Sequence, residues 1–291
     1  MLSRFSEHNL QLKELTDVIP ENDTTTLFLC SGMQRWKPKF SDQTQEKFGS
    51  LQTCIRTNDI REVGDGSHLT SFKMLGNFSF GNNDYHLSVE LWNSILCDLK
   101  LKSRSVIHIH PTQGGHKQLW QRCGYQIIDD TDCVWSDGQI GGYCCEVYYD
   151  GLEIGNLVNP LEHSTDVGFG LERLLQVISG TKRVDETELF DTTLSPICRD
   201  HFRTLEVLKL NGINPGNKER EYVCRRLLRR CLLEQPTSIP NHLRDWLNEE
   251  HVKRQKCIKN GKKHWNKHSN QPPQWWKETF GILPEELHLL K

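Results

Sequence analysis

The run Thr165-Asp166-Val167-Gly168-Phe169-Gly170-Leu171-Glu172-Arg173, which continues into the apolar helical pattern Leu174-Leu175-Gln176-Val177-Ile178, constrains this chain more than any other segment. Two glycines ending a strand let the backbone approach a flat ligand. An arginine on the first turn of the helix that follows aims a planar, permanent charge at phosphate. The segment therefore reads as a nucleotide site built on a strand, a turn and a helix. A Gly-x-Gly turn before a helix is common, so the reading needs a second element.

That element lies upstream. Thr53-Cys54-Ile55-Arg56-Thr57-Asn58-Asp59 reads as a strand ending at an arginine. Thr70-Ser71-Phe72-Lys73-Met74-Leu75-Gly76-Asn77-Phe78-Ser79-Phe80-Gly81 reads as a strand returning with an aromatic. Pairing them antiparallel around the loop with Gly64, Asp65 and Gly66 brings Arg56 and Phe72 onto one floor. With Arg173 this makes two guanidinium groups and a ring, suited to a triphosphate and an adenine.

Thr26-Leu27-Phe28-Leu29-Cys30-Ser31-Gly32-Met33-Gln34-Arg35-Trp36-Lys37-Pro38-Lys39-Phe40, the run from Met74 to Gly81 and the run from Asp166 to Arg173 resemble in order and spacing motifs 1, 2 and 3 of the alanyl-tRNA synthetases, a class II aminoacyl-tRNA synthetase family. The likeness extends through Cys144-Cys145-Glu146-Val147-Tyr148-Tyr149-Asp150 and Glu153-Ile154-Gly155-Asn156-Leu157-Val158. It continues past motif 3 into Asp200-His201-Phe202-Arg203 and Glu221-Tyr222-Val223-Cys224-Arg225-Arg226-Leu227-Leu228-Arg229-Arg230.

The resemblance implies an α+β fold: an antiparallel sheet of six or seven strands flanked by helices over residues 1–195, then a smaller all-α, basic, tRNA-acceptor-recognition region over 196–291. It implies that Arg56 contacts the α-phosphate of ATP, Phe72 stacks on adenine, Arg173 meets the γ-phosphate, and Met74 and Gly170 complete the ATP site, with Mg²⁺ accompanying the nucleotide. Adenylate formation is an in-line attack by a carboxylate on the α-phosphorus, so Arg56 and Arg173 are the catalytic residues and no protein nucleophile is needed. Trp135, Asn156, Val158, Asp166 and Gly168 match the amino-acid site, where Asp166 holds the ammonium and the apolar walls favour alanine over larger side chains.

For the acceptor stem of a tRNA-Ala-like partner the resemblance implies Asn217, Arg225, Arg226, Arg229, Arg230 and Glu278, the last standing where an aspartate is usual. Departures from the family pattern carry expectations of their own. The loop after Arg56 lacks the Gly-Gly-Lys-His segment. Lys73 replaces a glutamate, reversing a charge beside the nucleotide. Gly155 replaces a tryptophan, reshaping or enlarging the pocket. The chain stops where full-length members continue into an editing domain, so no hydrolysis of mischarged tRNA in cis is expected. Two other readings stay open: an activating enzyme that serves a carrier protein, a peptide or a small molecule, and an inactive RNA-binding paralogue.

Composition bears on partners. From Arg199 onward the chain holds 19 lysines and arginines against 11 acidic residues, while the preceding part holds 17 against 27. A basic helical part thus follows an acidic one. Arg225, Arg226, Arg229 and Arg230 recur at i, i+1, i+4 and i+5, on about half of one helix circumference, as a stripe for sugar-phosphate or as a solvated face. Arg244, Lys253, Arg254, Lys256, Lys259, Lys262, Lys263 and Lys267, interleaved with Trp246 and Trp265, extend the basic character. There is no run of about 18 apolar residues and no apolar N-terminal signal, so a soluble cytoplasmic chain is expected, with no membrane partner. Eleven cysteines form no Cys-x-x-Cys pair and read as reduced thiols, the adjacent Cys144 and Cys145 as buried ones on a strand. Cys257, His264 and His268 do not make a zinc site, and no metal-ligating set is assigned. The oligomeric state is not legible.

Overall fold

The structure is a computed structural model; it describes residues 2–291 apart from Asn22, Thr24, Gln43, Thr44, Asn83, Asp137 and the side chain of Asp42. The chain divides into two compact units, residues 1–56 with 71–189, and residues 57–70 with 190–291.

In the first unit β1 (Leu12–Leu15), β2 (Glu46–Ile55), β3 (Ser71–Phe80), β4 (Ser105–Ile109), β5 (Gln126–Asp129), β6 (Val134–Ser136), β7 (Gly141–Tyr149), β8 (Leu152–Val158) and β9 (Thr165–Gly170) form a sheet in the order β1-β2-β3-β9-β8-β7-β4-β5, with β6 on β7. From β2 to β4 every neighbour is antiparallel, whereas β1 runs parallel to β2 and β5 parallel to β4. The expected antiparallel sheet is therefore six strands wide, with a short parallel strand added at each edge. The helices of this unit are α1 (Ser3–Glu7), α2 (Lys37–Asp42), α3 (Tyr85–Asp98), α4 (Gly114–Arg122) and α5 (Leu171–Ser179).

Strand alternation sorts residues between two faces. Leu75, Val147, Leu157, Val167 and Phe169 turn to one face and pack with Val89, Trp92 and Ile95 of α3 and Leu174 of α5. Phe169 stacks on Trp92 at 3.6 Å between centroids and 7° between planes. The polar groups buried there are paired: the Trp92 indole donates to Asn77 at 2.9 Å, and Asn77 donates to Ser88 at 2.8 Å. Gly155 also belongs to this face, since a Cβ there would lie 2.3 Å from the Phe169 ring. The expectation that Gly155 enlarges the ligand pocket is corrected: its missing side chain makes room for Phe169 in the core.

Gly76 has a stricter role, because a Cβ on it would fall 1.6 Å from the Val167 carbonyl oxygen of the neighbouring β9. Neither backbone can yield without parting β3 from β9. Gly76→Ala is expected to cost about 3 kcal/mol or more, at the upper end of overpacking effects. Urea unfolding reads it, and a midpoint unchanged from the parent would show that the two strands separate freely here.

The second unit holds α6 (Pro196–Leu210), α7 (Glu219–Leu233), α8 (Arg244–His268) and α9 (Pro273–Phe280). Pro196 opens α6, where the Ser195 hydroxyl accepts from the Cys198 amide at 3.3 Å. Trp276, Ile282 and Leu290 form a local core, and Gly261 of α8 leaves space for Ile282 and Leu290. Among the described residues, no helix is long and apolar enough to cross a membrane.

Candidate active site

The face of the sheet opposite the α3 core collects the residues singled out in the sequence. Register pairs Cys54 with Phe72, Met74 with Gly170, Asn156 with Gly168, and Val158 with Asp166. Paired residues point the same way, so Phe72, Met74, Asn156, Val158, Asp166, Gly168 and Gly170 share this face across three adjacent strands, β3, β9 and β8. Arg56 follows β2 directly and remains exposed; its guanidinium carbon lies 4.9 Å from the Phe72 ring centroid, and its Nε donates to the Cys30 carbonyl at 3.1 Å. Gly168 leaves room for Met74, whose sulfur lies 2.7 Å from where a Cβ would stand. Trp135, on β6 opposite Gly142, packs against Cys133, Cys144 and Val158.

Asp166 is the electrostatic anomaly of this face. It is 8% exposed, and no hydrogen bond or ion pair reaches its carboxylate among the described residues. Burial alone pushes its carboxyl up to about 7. A buried carboxylate without a partner is costly, and an ammonium group from a ligand is the counter-charge that would relieve it.

Arg173 stands in the first turn of α5, immediately after β9. Its Nη1 donates to the Glu153 carbonyl at 2.9 Å and to the Glu153 carboxylate at 3.3 Å. The preceding Glu172 is buried and accepts the Lys73 amide on both oxygens, at 3.0 and 3.2 Å. This fastens the start of α5 to β3 and sets where Arg173 begins. Alternation carries the Lys73 side chain to the other face, where Nζ lies 3.6 Å from Glu14. The expected charge reversal beside a nucleotide is thereby corrected. Glu153 and Glu172 were not among the site residues chosen from sequence, although both flank the glycine-rich segments that were.

The second unit treats the arginine stripe differently from expectation. Arg229 is 3% exposed and donates to Glu250 at 2.7 Å and to Glu286 at 3.2 Å. Arg225 also pairs with Glu250, at 3.2 Å, and donates to Asn217. Arg226 pairs with Glu285 at 2.6 Å, and Arg254 of α8 with Glu286 at 2.7 Å. Arg230 Nε donates to His201 Nε2 at 2.9 Å. His201 must then carry its proton on Nδ1, which faces Asp200 at 2.8 Å, and Asp200 in turn accepts the Thr70 amide at 2.7 Å. Burial holds the His201 pKa below its ordinary value, in keeping with a neutral ring.

The four arginines thus do not form an open stripe, because acidic residues of α8 and the C-terminal segment, with His201, occupy their guanidinium groups. Asn217 and Glu278 are exposed, as are Lys256, Lys259, Lys262, Lys263 and Lys267 of α8. Trp265 packs against Trp276, with 5.2 Å between centroids, so it is not free to stack on a base. His264 and His268 lie against Phe280 and Trp275 and do not gather with Cys257 as a ligand group among the described residues.

The profile of the tRNA synthetases class II (A) matches residues 1–162 and 158–237. An alanine–tRNA ligase of Rubrobacter xylanophilus is 30% identical over 313 residues, covering 80% of this chain and 35% of its own length. That of Desulfitobacterium hafniense is 30% identical over 298 residues, covering 79% and 34%. The chain thus spans about a third of the length of the curated relatives it matches. An apo histidyl-tRNA synthetase structure from S. aureus overlaps 65% of this chain and 66% of its own at 12% identity, with a TM-score of 0.41.

Proposed function

The chain belongs to the class II (A) tRNA synthetases, and on that premise we propose that it joins a small amino acid, alanine foremost, to ATP as the aminoacyl adenylate and passes the acyl group to the 3′ end of a tRNA. The observation that carries this reading is Asp166: a buried, unpartnered carboxylate on the same sheet face as Arg56 and Phe72. A domain that only bound RNA would have no use for it.

In this reading the ammonium of the amino acid pairs with Asp166, while Val158 and Trp135 leave room for a small side chain. Adenine takes the half-buried Phe72 ring, with Met74 and Gly170 beneath it. Arg56 stabilises charge on the α-phosphate as the substrate carboxylate attacks and pyrophosphate leaves, and Arg173 holds the distal phosphates. Asn156, paired with Gly168, offers an amide to the bound amino acid. Glu153 already balances Arg173 and is the oxygen donor that would hold Mg²⁺, which supplies neutralising charge for the phosphates when bound. For tRNA, exposed Asn217 and Glu278 and the lysines of α8 are the available contacts, whereas Arg229 serves the interior of its own unit.

Amino-acid-dependent exchange of pyrophosphate into ATP tests the reading. Alanine should support exchange, with glycine and serine weaker by about 10–200-fold, the discrimination a single small group allows. Arg56→Ala should slow exchange by about 10²–10³-fold. Absence of exchange with all twenty amino acids would overturn the proposal. Exchange without transfer to tRNA would redirect it to another acceptor.

A further inference from the structure

We propose that Cys133, Cys144 and Glu146 hold a thiophilic divalent cation of the zinc class beside the amino-acid pocket. Their two sulfurs and one carboxylate oxygen all lie within 4.8 Å of one another, the one such group found among the described residues. A tetrahedral ion with Zn–S bonds of about 2.3 Å separates its ligand atoms by roughly 3.5–3.8 Å, so small rotamer adjustments close the set.

The fold builds this cluster from separate pieces. Cys144 and Glu146 are alternate residues of β7 and so share a face. Cys133 is held by its carbonyl, which accepts the Cys144 amide at 3.0 Å, and by β6, which starts at the next residue and pairs with β7. Cys145 turns to the other face and receives the Tyr85 hydroxyl at 3.1 Å, which excludes it from the set. Both ligand cysteines are buried, at 1% and 5% exposure.

Ligand type identifies the ion. Two thiolates with one carboxylate suit zinc and not magnesium, and three protein ligands leave a fourth position for water or a small ligand. The carboxylate is also oriented from outside the set, since the Tyr148 hydroxyl donates to one Glu146 oxygen at 2.8 Å. Val158 and Trp135 pack against both cysteines, so the ion would border the pocket proposed for the amino acid. Binding expels the two thiol protons to solvent, and affinity therefore rises with pH.

The test uses Co²⁺ as a spectroscopic substitute, added to the reduced full chain, and does not depend on amino-acid activation. One equivalent should give thiolate-to-cobalt charge transfer and the intense visible bands of a tetrahedral site, both erased by Zn²⁺. Cys133→Ser and Cys144→Ser should each abolish the charge transfer, while Cys97→Ser, at an exposed thiol, should keep it. Tyr148→Phe leaves the ligands in place and should weaken cobalt binding about 10–100-fold. A parent chain without these bands, or bands that survive in the Cys133→Ser, Cys144→Ser double variant, would overturn the proposal.

Discussion

Asp166→Asn is expected to yield a chain that withstands urea better than its parent at pH 8 and activates its amino acid about 10²–10³-fold less efficiently. The second half follows from losing the charge pair proposed between Asp166 and the substrate ammonium. The first follows from linkage. The carboxyl sits at about 7 in the folded chain against an ordinary 3.8, so the native state holds an extra proton between those values. Stability contributed by this group therefore falls as pH rises through that window, and above pH 7 the charged form carries its full burial penalty. Between pH 5 and 8 the parent should lose roughly 2–3 kcal/mol that the variant keeps. Equal pH slopes in the two proteins would remove the buried carboxylate as the cause. Affinity for the amino acid should weaken below pH 7, where a proton competes with the ammonium.

Arg229→Ala should be the most damaging single change in the second unit. It leaves Glu250 and Glu286 buried with part of their counter-charge gone, a situation that costs about 3–5 kcal/mol. Far-UV circular dichroism during heating reads this as a midpoint lowered by more than about 10 °C. The exposed Lys256→Ala supplies the contrast: stability within about 0.5 kcal/mol of the parent, and a salt dependence of tRNA affinity shallower by roughly one phosphate contact. If Arg229→Ala melted like the parent and lost only RNA binding, the interior role assigned to Arg229 would be wrong.

The difference between these two variants shows what a sequence can convey. Arg56 and Phe72 could be read from the sequence as neighbours because they sit at the end of β2 and on β3, where a period of two fixes the face, and Arg173 because it opens the helix after a glycine turn; Asp166 and its role came from the family resemblance. The arginines of α7 were legible only as a face. Helical spacing says which residues lie together, but not what packs against them, and their partners Glu250, Glu285 and Glu286 lie 21 to 59 residues away in the chain. Gly155 misled for a related reason: alternation with Asn156 puts it on the core face, but only the pairing of β8 with β9 shows that the Phe169 ring fills the space its side chain would take. The edge strands β1 and β5 are four residues each and mostly polar or half-buried, too short for a periodic signal. Cys133 and Cys144 are eleven positions apart without a spacing motif, and only the pairing of β6 with β7 unites them.

The stacking of Phe169 on Trp92 has a consequence that reaches past the core. Along β9, residues that grip the interior alternate one by one with residues that would meet substrate, so each ligand-facing position is bracketed by anchors. Its placement can be no looser than theirs. Any selectivity the proposed pocket has would then be enforced partly by side chains that never see a ligand, and a change at Phe169 or Trp92 would disturb the ligand-facing residues of β9 as well as the core.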